Sequence, residues 1–527
     1  MKISLNLRRF YPLAFMILAS SALSCSAETG QAVSPEKLHG NSQNPASSKV
    51  SPATVGSSVA ASVHPGSAWQ KYSPDMEQLF RNYIRPDAPG CVAGVYQEGE
   101  LVLSGAYGMA NLDHGIPLSD SSRFYMASVS KQVTAAAAGL LVVRGKLDLD
   151  KPVSEYIDGW PEWAEGITVS HLFNHTSGLP DIYDLMAIAG ISLSDVMSID
   201  DYMSVFFNGE SLKHLPGQRY SYTNSGYTTL AKLVETVSGD DFSVFVDNEI
   251  LGPLGMSASH FHDDRHRIIP NRVISYAPAR GLSEEPLFSD VDPETDDSTL
   301  PEPVFRQTYL SNFQGVGPGG LYSTVRDWAR WEALWSGGYS ALALEEERVA
   351  EFQKLKELMT RQMVINGDTL DYAMGLDITQ WQGQVMQGHS GSFMGFRTDV
   401  RRFPEHGLAL LTLCNREDAN PGRSNREMAR IFLKEHFEAF LLPYQGVYRS
   451  EELQIDYTIT VEQGTLKLHR RLSPNGLIRE DAPDMWRAGS WDLVFQRNEE
   501  GEISGFLVST GRSKEVAFDR VPELIIP

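Results

Sequence analysis

The stretch SVSKQVTAAAAGLLVVRG, residues 128–145, decides the predicted fold of this chain. Its apolar residues recur at helical spacing and Arg144-Gly145 is typical of a helix end, so the stretch predicts a helix that begins at Ser128. Residues i and i+3 share one face of a helix, which brings the Ser128 hydroxyl within reach of the Lys131 amine. A serine activated in this way can act as a nucleophile, and the positive helix N-terminus favours its alkoxide.

A serine three residues before a lysine occurs by chance about once or twice in a chain of this length. Ser34-Pro35-Glu36-Lys37 is a second copy of the spacing. It lies among serine, proline and alanine residues without apolar periodicity, so no helix is predicted to hold its side chains together. We therefore interpret the earlier copy as a coincidence.

The composition favours a folded protein and argues against one that binds nucleic acid. The chain has 527 residues, of which 42% are hydrophobic and 10% aromatic, which suits a packed core and roughly two to four domains. Its net charge of −22 disfavours a nucleic-acid surface, because phosphate binding needs clustered lysine and arginine. The composition leaves the oligomeric state open.

The N-terminal segment predicts export. Basic residues precede an apolar run from Tyr11 to Leu23, which is too short to span a bilayer and is typical of a secretory signal. We predict a signal peptide at 1–27 and a periplasmic or envelope-anchored protein. Cleavage after Ala27 and cleavage before a lipidated Cys25, which would attach the protein to a membrane, both stay open. Residues 28–68 are predicted to be a flexible linker.

Strand patterns lie on both sides of the helical region. Cys91–Tyr96 and Leu101–Ala106 predict one hairpin, and Phe396–Phe403 with Leu408–Cys414 predicts another. A helix is predicted from about Asn425 to Leu441. This order predicts a mixed α/β fold, in which an antiparallel sheet is built from both chain ends and flanked by helices, with a helical subdomain inserted between them.

The chain is predicted to divide after residue 443. Residues 69–443 form the first globular domain, and short strand candidates separated by turns predict a small all-β barrel at 444–527. Cys91 and Cys414 each lie in a predicted strand. They can pair in an oxidising compartment, but we favour two small buried hydrophobic residues.

Two further segments supply groups that a serine acyl-transfer site needs. Tyr222-Thr223-Asn224 lies in a predicted loop, where the tyrosine can relay a proton if nearby lysine charge lowers its pKa. His389-Ser390-Gly391-Ser392 lies in a glycine-rich edge strand that a ligand can approach closely. The amides of Ser128 and Ser392 can form an oxyanion hole, in which each donor lowers the barrier by about 3 kcal/mol. HTSGLP at 175–180 and GPGGLYST at 317–324 are interpreted as positioning loops.

The order of these motifs resembles the penicillin-recognising serine hydrolases, the family of class C β-lactamases, serine DD-peptidases, D-aminopeptidases and related esterases. HTSGLP and GPGGLYST also look like that family, and the resemblance covers about Tyr72 to Leu441. It implies a β-lactamase/transpeptidase-like fold and a serine hydrolase that needs no metal or organic cofactor. The site residues that it implies are catalytic Ser128, Lys131 and Tyr222, substrate-binding Asn224, His389, Ser390 and Gly391, and the oxyanion amides of Ser128 and Ser392.

One departure from the β-lactamase pattern bears on the substrate. Many family members carry lysine where this chain has His389, and a histidine is mostly neutral above a pKa of about 6.5. An anionic substrate carboxylate then lacks a permanent countercharge, which weakens the case for a β-lactamase. Histidine here looks like certain DD-peptidases and D-aminopeptidases.

We therefore predict an exported hydrolase that cleaves an amide or ester bond through a Ser128 acyl-enzyme, and favour peptides of the D-amino-acid or cell-wall type as its substrates. The alternatives are an esterase or β-lactamase of the same family, and a penicillin-binding-like receptor or scaffold with slow or no turnover. Tyr444–Pro527 resembles the lipocalin-like C-terminal domains of several peptidase-like members, and its role stays open.

Other hydrolase classes fit the sequence less well. The chain has no G-x-S-x-G elbow of an α/β-hydrolase. A group of histidines and aspartates between residues 260 and 266 has a spacing that could bind a metal ion. No H-E-x-x-H helix contains them, so we favour a polar loop. These residues are His260, His262, Asp263, Asp264 and His266. The acidic run Asp290–Asp297 lacks the glycine and terminal glutamate of an EF-hand and is interpreted as a solvated loop.

Overall fold

The computed structural model describes residues 62–63, 68–192, 195–279, 304–308, 315–470 and 473–521. The chain divides into two units, 1–55 and 56–527, and all described residues belong to the second. The predicted signal peptide, Cys25, almost all of the predicted linker and the acidic run Asp290–Asp297 therefore lie outside the described residues. No helix of the described part is both long and apolar enough to cross a membrane.

The described residues form both helices and strands. The α-helices are α1 (Ser73–Leu79), α2 (Lys131–Val143), α3 (Val169–Phe173), α4 (Ile182–Ile188), α5 (Ile199–Phe207), α6 (Asn224–Ser238), α7 (Phe242–Val246), α8 (Gly252–Leu254), α9 (Val325–Ser336), α10 (Glu346–Met359), α11 (Pro421–Phe432) and α12 (Lys434–Leu441). The strands before the C-terminal barrel are β1 (Ser62–Val63), β2 (Cys91–Gln97), β3 (Glu100–Tyr107), β4 (Met109–Asn111), β5 (Ile116–Pro117), β6 (Phe124–Tyr125), β7 (His260–Phe261), β8 (Tyr276–Pro278), β9 (Phe305–Gln307), β10 (Leu321–Ser323), β11 (Val364–Ile365), β12 (Asp368–Thr369), β13 (Asp377–Trp381), β14 (Gln384–Phe393), β15 (Phe396–Phe403) and β16 (Leu408–Cys414). The barrel strands are β17 (Gly446–Ser450), β18 (Ile455–Glu462), β19 (Thr465–Arg470), β20 (Ser473–Ala482), β21 (Met485–Ala488), β22 (Trp491–Arg497), β23 (Ile503–Ser509) and β24 (Val516–Arg520).

The main sheet combines strands from both ends of the first domain. Its order is β1-β3-β2-β16-β15-β14-β13, and neighbouring strands are antiparallel. The early strands meet the late ones where β2 pairs with β16. This arrangement confirms the predicted fold class, and both predicted hairpins form, as β2–β3 and β15–β16.

The two cysteines form a disulfide at the junction between β2 and β16. Cys91 and Cys414 are register partners in adjacent strands, with a Cα–Cα distance of 4.0 Å, and their sulfur atoms are bonded. The favoured interpretation as two free buried residues is therefore wrong. Their separation of 323 residues concealed the pairing, because strand register between distant segments cannot be read from a local pattern.

The helical region packs its core around α2. The run Ala135–Ala138 has no exposed surface, and small side chains of this kind allow neighbouring helices to approach closely. A Cβ on Gly139 would lie 2.7 Å from a methyl carbon of Leu355 on α10. The predicted helix forms, but α2 begins at Lys131 and the preceding Ala127–Ser130 segment is a 3-10 turn.

The predicted helix from Asn425 to Leu441 is wrong as a single element. The structure has α11 and α12, separated at Leu433, where φ is −109° and ψ is 25°. The break turns α12 so that Phe437 and Leu441 are buried. Apolar periodicity continued across the break and concealed it.

The C-terminal strands β17 to β24 form a closed barrel, which confirms the predicted all-β barrel. Buried aromatic residues, including Tyr448, Phe495 and Phe506, pack against one another in its core. The turn between β18 and β19 lies against the preceding helices, since a Cβ on Gly464 would lie 3.7 Å from side-chain atoms of Arg430 and Phe437. The domain boundaries and the lipocalin-like character of this region stay predictions.

Candidate active site

Ser128 lies in the 3-10 turn directly before α2. The preceding residue, Ala127, has a φ of 47°, a left-handed conformation that costs a residue with a Cβ about 1–2 kcal/mol. Lys131 is the first residue of α2, and its Nζ lies 3.2 Å from the Ser128 Oγ. The structure thus brings the predicted pair together at the start of the helix.

The Lys131 amine is buried and makes three polar contacts. Its Nζ lies 2.9 Å from the Asn224 Oδ1 and 2.8 Å from the Pro318 carbonyl oxygen, in addition to Ser128. Burial lowers the pKa of Lys131 to about 7, although the negative charge of Asp181 opposes this shift. Near neutral pH a large fraction of Lys131 is therefore the free amine, which can accept the Ser128 proton.

The GPGGLYST segment at 317–324 holds Lys131 through its main chain. The Pro318 carbonyl accepts a hydrogen bond from Lys131. A Cβ on Gly319 would lie 2.4 Å from the Tyr125 hydroxyl oxygen, so this position needs glycine for the close approach. These contacts agree with the predicted positioning role of the segment.

Tyr222 lies in the loop before α6 and faces the same pair. Its ring centroid is 5.0 Å from the Lys131 Nζ, and its hydroxyl shares a hydrogen bond with Ser128. Tyr222 is 37% exposed. Removal of its hydroxyl from water nevertheless raises the pKa of Tyr222 well above the usual value, and the hydrogen bond to Ser128 offsets only part of this rise. The sequence left open whether nearby lysine charge lowers this pKa, and the structure shows that it does not, because removal from water dominates.

Asn224, the first residue of α6, is held on two sides. Its backbone N–H and its Nδ2 donate to the Asp181 Oδ2 at 2.6 and 2.9 Å, and its Oδ1 accepts from Lys131. Asp181 also caps α4 by accepting the Tyr183 N–H at 2.9 Å. Asp181 is absent from the predicted site, although an aspartate between Pro180 and an apolar run is a typical N-cap signal.

β14 carries the third predicted segment and passes beside the Ser128 turn. β13 pairs with β14 only as far as Gly388, so from His389 to Phe393 the one paired neighbour among the described strands is β15. The prediction of an edge strand is confirmed for this half of β14. A Cβ on Gly391 would lie 2.7 Å from the Met126 carbonyl oxygen, so glycine lets the strand approach the turn.

His389 is buried, and both of its ring nitrogens are engaged within the protein. The Nδ1 lies 2.6 Å from the Ser390 carbonyl oxygen, which can only accept, so Nδ1 carries the proton. The Nε2 then accepts from the Tyr372 hydroxyl at 3.0 Å. Burial lowers the pKa of His389 to about 4, so the ring is neutral at physiological pH. This state agrees with the expectation that no permanent cation lies here.

The Ser390 hydroxyl is directed away from Ser128. It donates to the Asp399 Oδ2 at 2.7 Å and accepts from the Arg401 Nη2 at 2.7 Å. Alternate residues of a strand face opposite sides, so His389 and Gly391 share the Ser128 side while Ser390 faces the other. The structure therefore does not bring the Ser390 side chain to the predicted substrate site.

The oxyanion role of the Ser128 and Ser392 amides stays a prediction. The Thr398 hydroxyl on β15 links the two segments that carry them, because it lies 2.8 Å from the Met126 carbonyl oxygen before the turn and 3.4 Å from the Gly391 carbonyl oxygen on β14. A Cβ on Gly391 would also lie 3.0 Å from the Ala127 Cβ. The residues adjacent to both predicted donors therefore touch.

A group of buried rings supports the Tyr222 loop and is absent from the predicted site. The His175 ring centroid lies 4.2 Å from that of Tyr222, 5.1 Å from Tyr227 and 4.7 Å from Tyr372. The His175 Nδ1 accepts the Thr223 N–H at 3.2 Å, and burial lowers the pKa of His175 well below its usual value. His175 could be found from the sequence because it lies in the HTSGLP motif. Tyr372 could not, because it is distant in the chain and no local pattern predicts its contact with His175.

The alternative metal site finds no support in the structure. His260 and His262 are buried. Asp263 accepts a hydrogen bond from the Ser243 hydroxyl. Within the described ranges, no group of three or more histidine, cysteine, aspartate or glutamate residues is placed to hold a metal ion. The predicted polar loop is wrong at its start, because His260–Phe261 form β7 against β10 and His262 is buried.

The sequence of this chain is similar to those of known proteins. The family model described as "Beta-lactamase" matches residues 76–433. Penicillin-binding protein 4* of Bacillus subtilis is 29% identical over 325 residues, covering 61% of this chain and 66% of that protein. A D-aminopeptidase of Brucella anthropi is 25% identical over 353 residues, covering 66% of this chain and 60% of that protein. The chain thus spans less than two thirds of the length of these two relatives.

The fold is also similar to a solved structure. The octameric penicillin-binding protein homologue from Pyrococcus abyssi has a TM-score of 0.55 and 20% sequence identity, covering 84% of this chain and 99% of that one. At this identity the likeness concerns the fold alone. The family model, the relatives and the fold agree with the resemblance inferred from the motifs. This chain belongs to the beta-lactamase family, a family of serine hydrolases that includes penicillin-binding proteins and D-aminopeptidases.

Proposed function

We propose that this protein is an exported hydrolase that cleaves amide or ester bonds through an acyl-enzyme on Ser128. The observation that carries the proposal is the buried Lys131 amine, which lies 3.2 Å from the Ser128 Oγ. A lysine whose pKa is lowered to about 7 by burial, beside a hydroxyl in a strained turn, suits a base that activates a nucleophile.

Acylation follows from the positions of these groups. The Ser128 Oγ attacks the substrate carbonyl carbon while its proton passes to the Lys131 Nζ. The resulting oxyanion accepts hydrogen bonds from the amides of Ser128 and Ser392. As the bond to the leaving group breaks, Tyr222 donates its proton to the leaving nitrogen or oxygen and regains one from Lys131. The raised pKa of Tyr222 keeps its hydroxyl protonated for this step.

Deacylation reverses the proton route. A water molecule adds to the acyl carbonyl while its proton passes to the free Lys131 amine. The ester bond to the Ser128 Oγ then breaks, the acid product leaves and that proton returns to the Oγ. In the proposed role Asn224, fixed between Asp181 and Lys131, orients the substrate. From His389 to Ser392, β15 is the one described strand that pairs with β14, so the other edge of this segment suits an extended peptide that adds main-chain hydrogen bonds.

The favoured substrates are peptides of the D-amino-acid or cell-wall type. The relatives include a protein named D-aminopeptidase and a penicillin-binding protein. Two partly exposed rings suit an apolar side chain: Tyr222, which interacts with Ser128, and Tyr220, which packs against His175 and Tyr372. Neutral His389 gives a substrate carboxylate no permanent countercharge, which disfavours β-lactams. Esters are the second candidate, since the same acyl-enzyme forms from them.

Export is proposed from the signal-like segment at 1–27. The Cys91–Cys414 disulfide supports it, because such bonds persist in oxidising compartments. Attachment through a lipidated Cys25 stays an alternative to release after Ala27.

A covalent-labelling experiment tests the proposed function. The intact protein is incubated with a fluorescent β-lactam and with a panel of D-amino-acid amides, stem-peptide analogues and simple esters, while intact-mass spectrometry monitors acylation. We expect label on the parent protein, none on Ser128→Ala, and turnover that is fastest with D-amino-acid amides. Label without turnover of any panel member favours the receptor or scaffold alternative. Equal turnover by the parent and Ser128→Ala would contradict the proposal.

The rate should depend on pH through Lys131. The free amine is the active form and its pKa is about 7, so kcat/KM should rise as the pH increases through that value and level off above it. The measurement is a pH profile of kcat/KM with an uncharged ester, so that the substrate does not titrate. A profile that is flat from about pH 5 to 8 would contradict the assignment of Lys131 as the base.

A further inference from the structure

We propose that Asp181 is a positioning residue that orients the Asn224 amide and, through it, holds the Lys131 amine toward Ser128. The inference rests on the proposed function, because it assigns Asp181 a part in the same reaction. It is carried by the hydrogen bonds that link Asp181 to Asn224 and Asn224 to Lys131.

Asp181 joins the beginnings of two helices. One carboxylate oxygen accepts the Tyr183 N–H and caps α4, while the other accepts the Asn224 N–H at the start of α6. The adjacent Pro180 carbonyl accepts the Ser225 hydroxyl at 2.6 Å, which fixes the same two segments. The carboxylate therefore occupies a defined position relative to α6.

That position selects one orientation of the Asn224 amide. The Asp181 Oδ2 can only accept, so the Asn224 Nδ2 must face it, at 2.9 Å. The Asn224 Oδ1 is then directed to the Lys131 Nζ. In the flipped orientation two oxygens would face each other and the amide NH2 would face the amine, so both contacts would be lost.

Asp181 also acts on Lys131 through its charge. The groups around Lys131 include Ser128, Asn224, the rings of Tyr222 and Tyr227 and the Pro318 carbonyl, and Lys131 acts electrostatically on His175 and His389. Asp181 is the carboxylate whose negative charge raises the pKa of Lys131 against the effect of burial. Asp181 therefore makes the Lys131 amine a stronger base, although a smaller fraction of it is the free amine at a given pH.

The capping role and the positioning role can be separated by Asp181→Asn. Asparagine caps a helix about as well as aspartate, so α4 keeps its cap. The substitution removes the negative charge and presents an NH2 group where Asn224 needs an acceptor. Asp181→Ser is the second variant, because serine also caps well but is too short to serve both helices. Asp184→Asn is the matched control, since Asp184 is exposed in the first turn of the same helix.

The experiment measures kcat, KM, the pH profile and thermal unfolding of the full-length protein with the best ester or D-amino-acid amide of the panel. We expect Asp181→Asn and Asp181→Ser to lower kcat about 100-fold with little change in KM, while Asp184→Asn matches the parent. Without the Asp181 charge the pKa of Lys131 falls, so the rise of kcat/KM should move to lower pH. A purely structural loss would not move it.

A double-mutant cycle with Asn224→Ala tests whether Asp181 acts through Asn224. We expect Asp181→Asn to cost little further activity once Asn224 is alanine. If both Asp181 variants retain parental kcat and pH profile while Ser128→Ala loses its label, the positioning role is overturned and the proposed function stands. If Ser128→Ala retains parental turnover, the proposed function fails and the inference fails with it.

Discussion

Replacing Lys131 by methionine is expected to lower kcat/KM about 10³–10⁴-fold while the protein stays folded. Methionine has a similar length and suits a buried site, so packing around α2 should be retained. The amine that accepts the Ser128 proton is lost, together with donors to Asn224 and Pro318. Steady-state kinetics with a reactive ester, alongside circular dichroism, measures the effect.

Lys146→Met is the matched control, because Lys146 follows the same helix and is exposed. It should retain parental kinetics. Intact-mass spectrometry adds a second measurement, since Lys131→Met should acylate slowly on Ser128 rather than at another residue. A Lys131→Met enzyme within tenfold of the parent at neutral pH would exclude Lys131 as the base.

Replacing Glu332 by alanine is expected to lower the free energy of unfolding by about 3–5 kcal/mol. Glu332 on α9 and Arg402 on β15 form a buried two-pronged ion pair, with N–O distances of 2.6 and 2.7 Å and side-chain exposures of 2% and 4%. The Trp328 indole N–H also donates to Glu332 at 2.7 Å. Alanine would leave the arginine charge buried without a partner, and chemical denaturation of the oxidised protein measures the loss.

The double variant Glu332→Leu with Arg402→Met should recover most of that stability. Removing both charges avoids an uncompensated charge, and buried ion pairs are often no more stable than apolar replacements. Glu357→Ala, at an exposed position of α10, should change stability by less than about 0.5 kcal/mol. A loss of less than about 1 kcal/mol in Glu332→Ala would show that water or a rearranged partner solvates Arg402.

The parts of the fold that local pattern describes could be predicted from the sequence. The hairpin strands Phe396–Phe403 and Leu408–Cys414 are observed with the predicted bounds, because the Pro-Glu-His-Gly turn separates them and the second is a largely apolar run. The order of the motifs was sufficient to infer the family. Ser128, Lys131, Tyr222 and Asn224 do lie together, although the roles assigned to them stay predictions.

What could not be predicted depends on contacts between distant segments. The Asp181 carboxylate reaches Asn224 only because α4 and α6 begin side by side, and Tyr372 reaches His389 only once the sheet has formed. The direction of the Tyr222 pKa shift depends on burial, which a loop sequence does not reveal. The disulfide likewise depends on the register of β2 against β16.

The disulfide also makes the catalytic region a closed covalent ring. Every proposed site residue, from Ser128 to Ser392, lies between Cys91 and Cys414, whose Cα atoms are 4.0 Å apart. In the oxidised protein, a protease that cuts the main chain once between these cysteines opens the ring but releases no fragment. The nucleophile and β14 remain parts of one molecule after such a nick, and only reduction followed by unfolding would separate them.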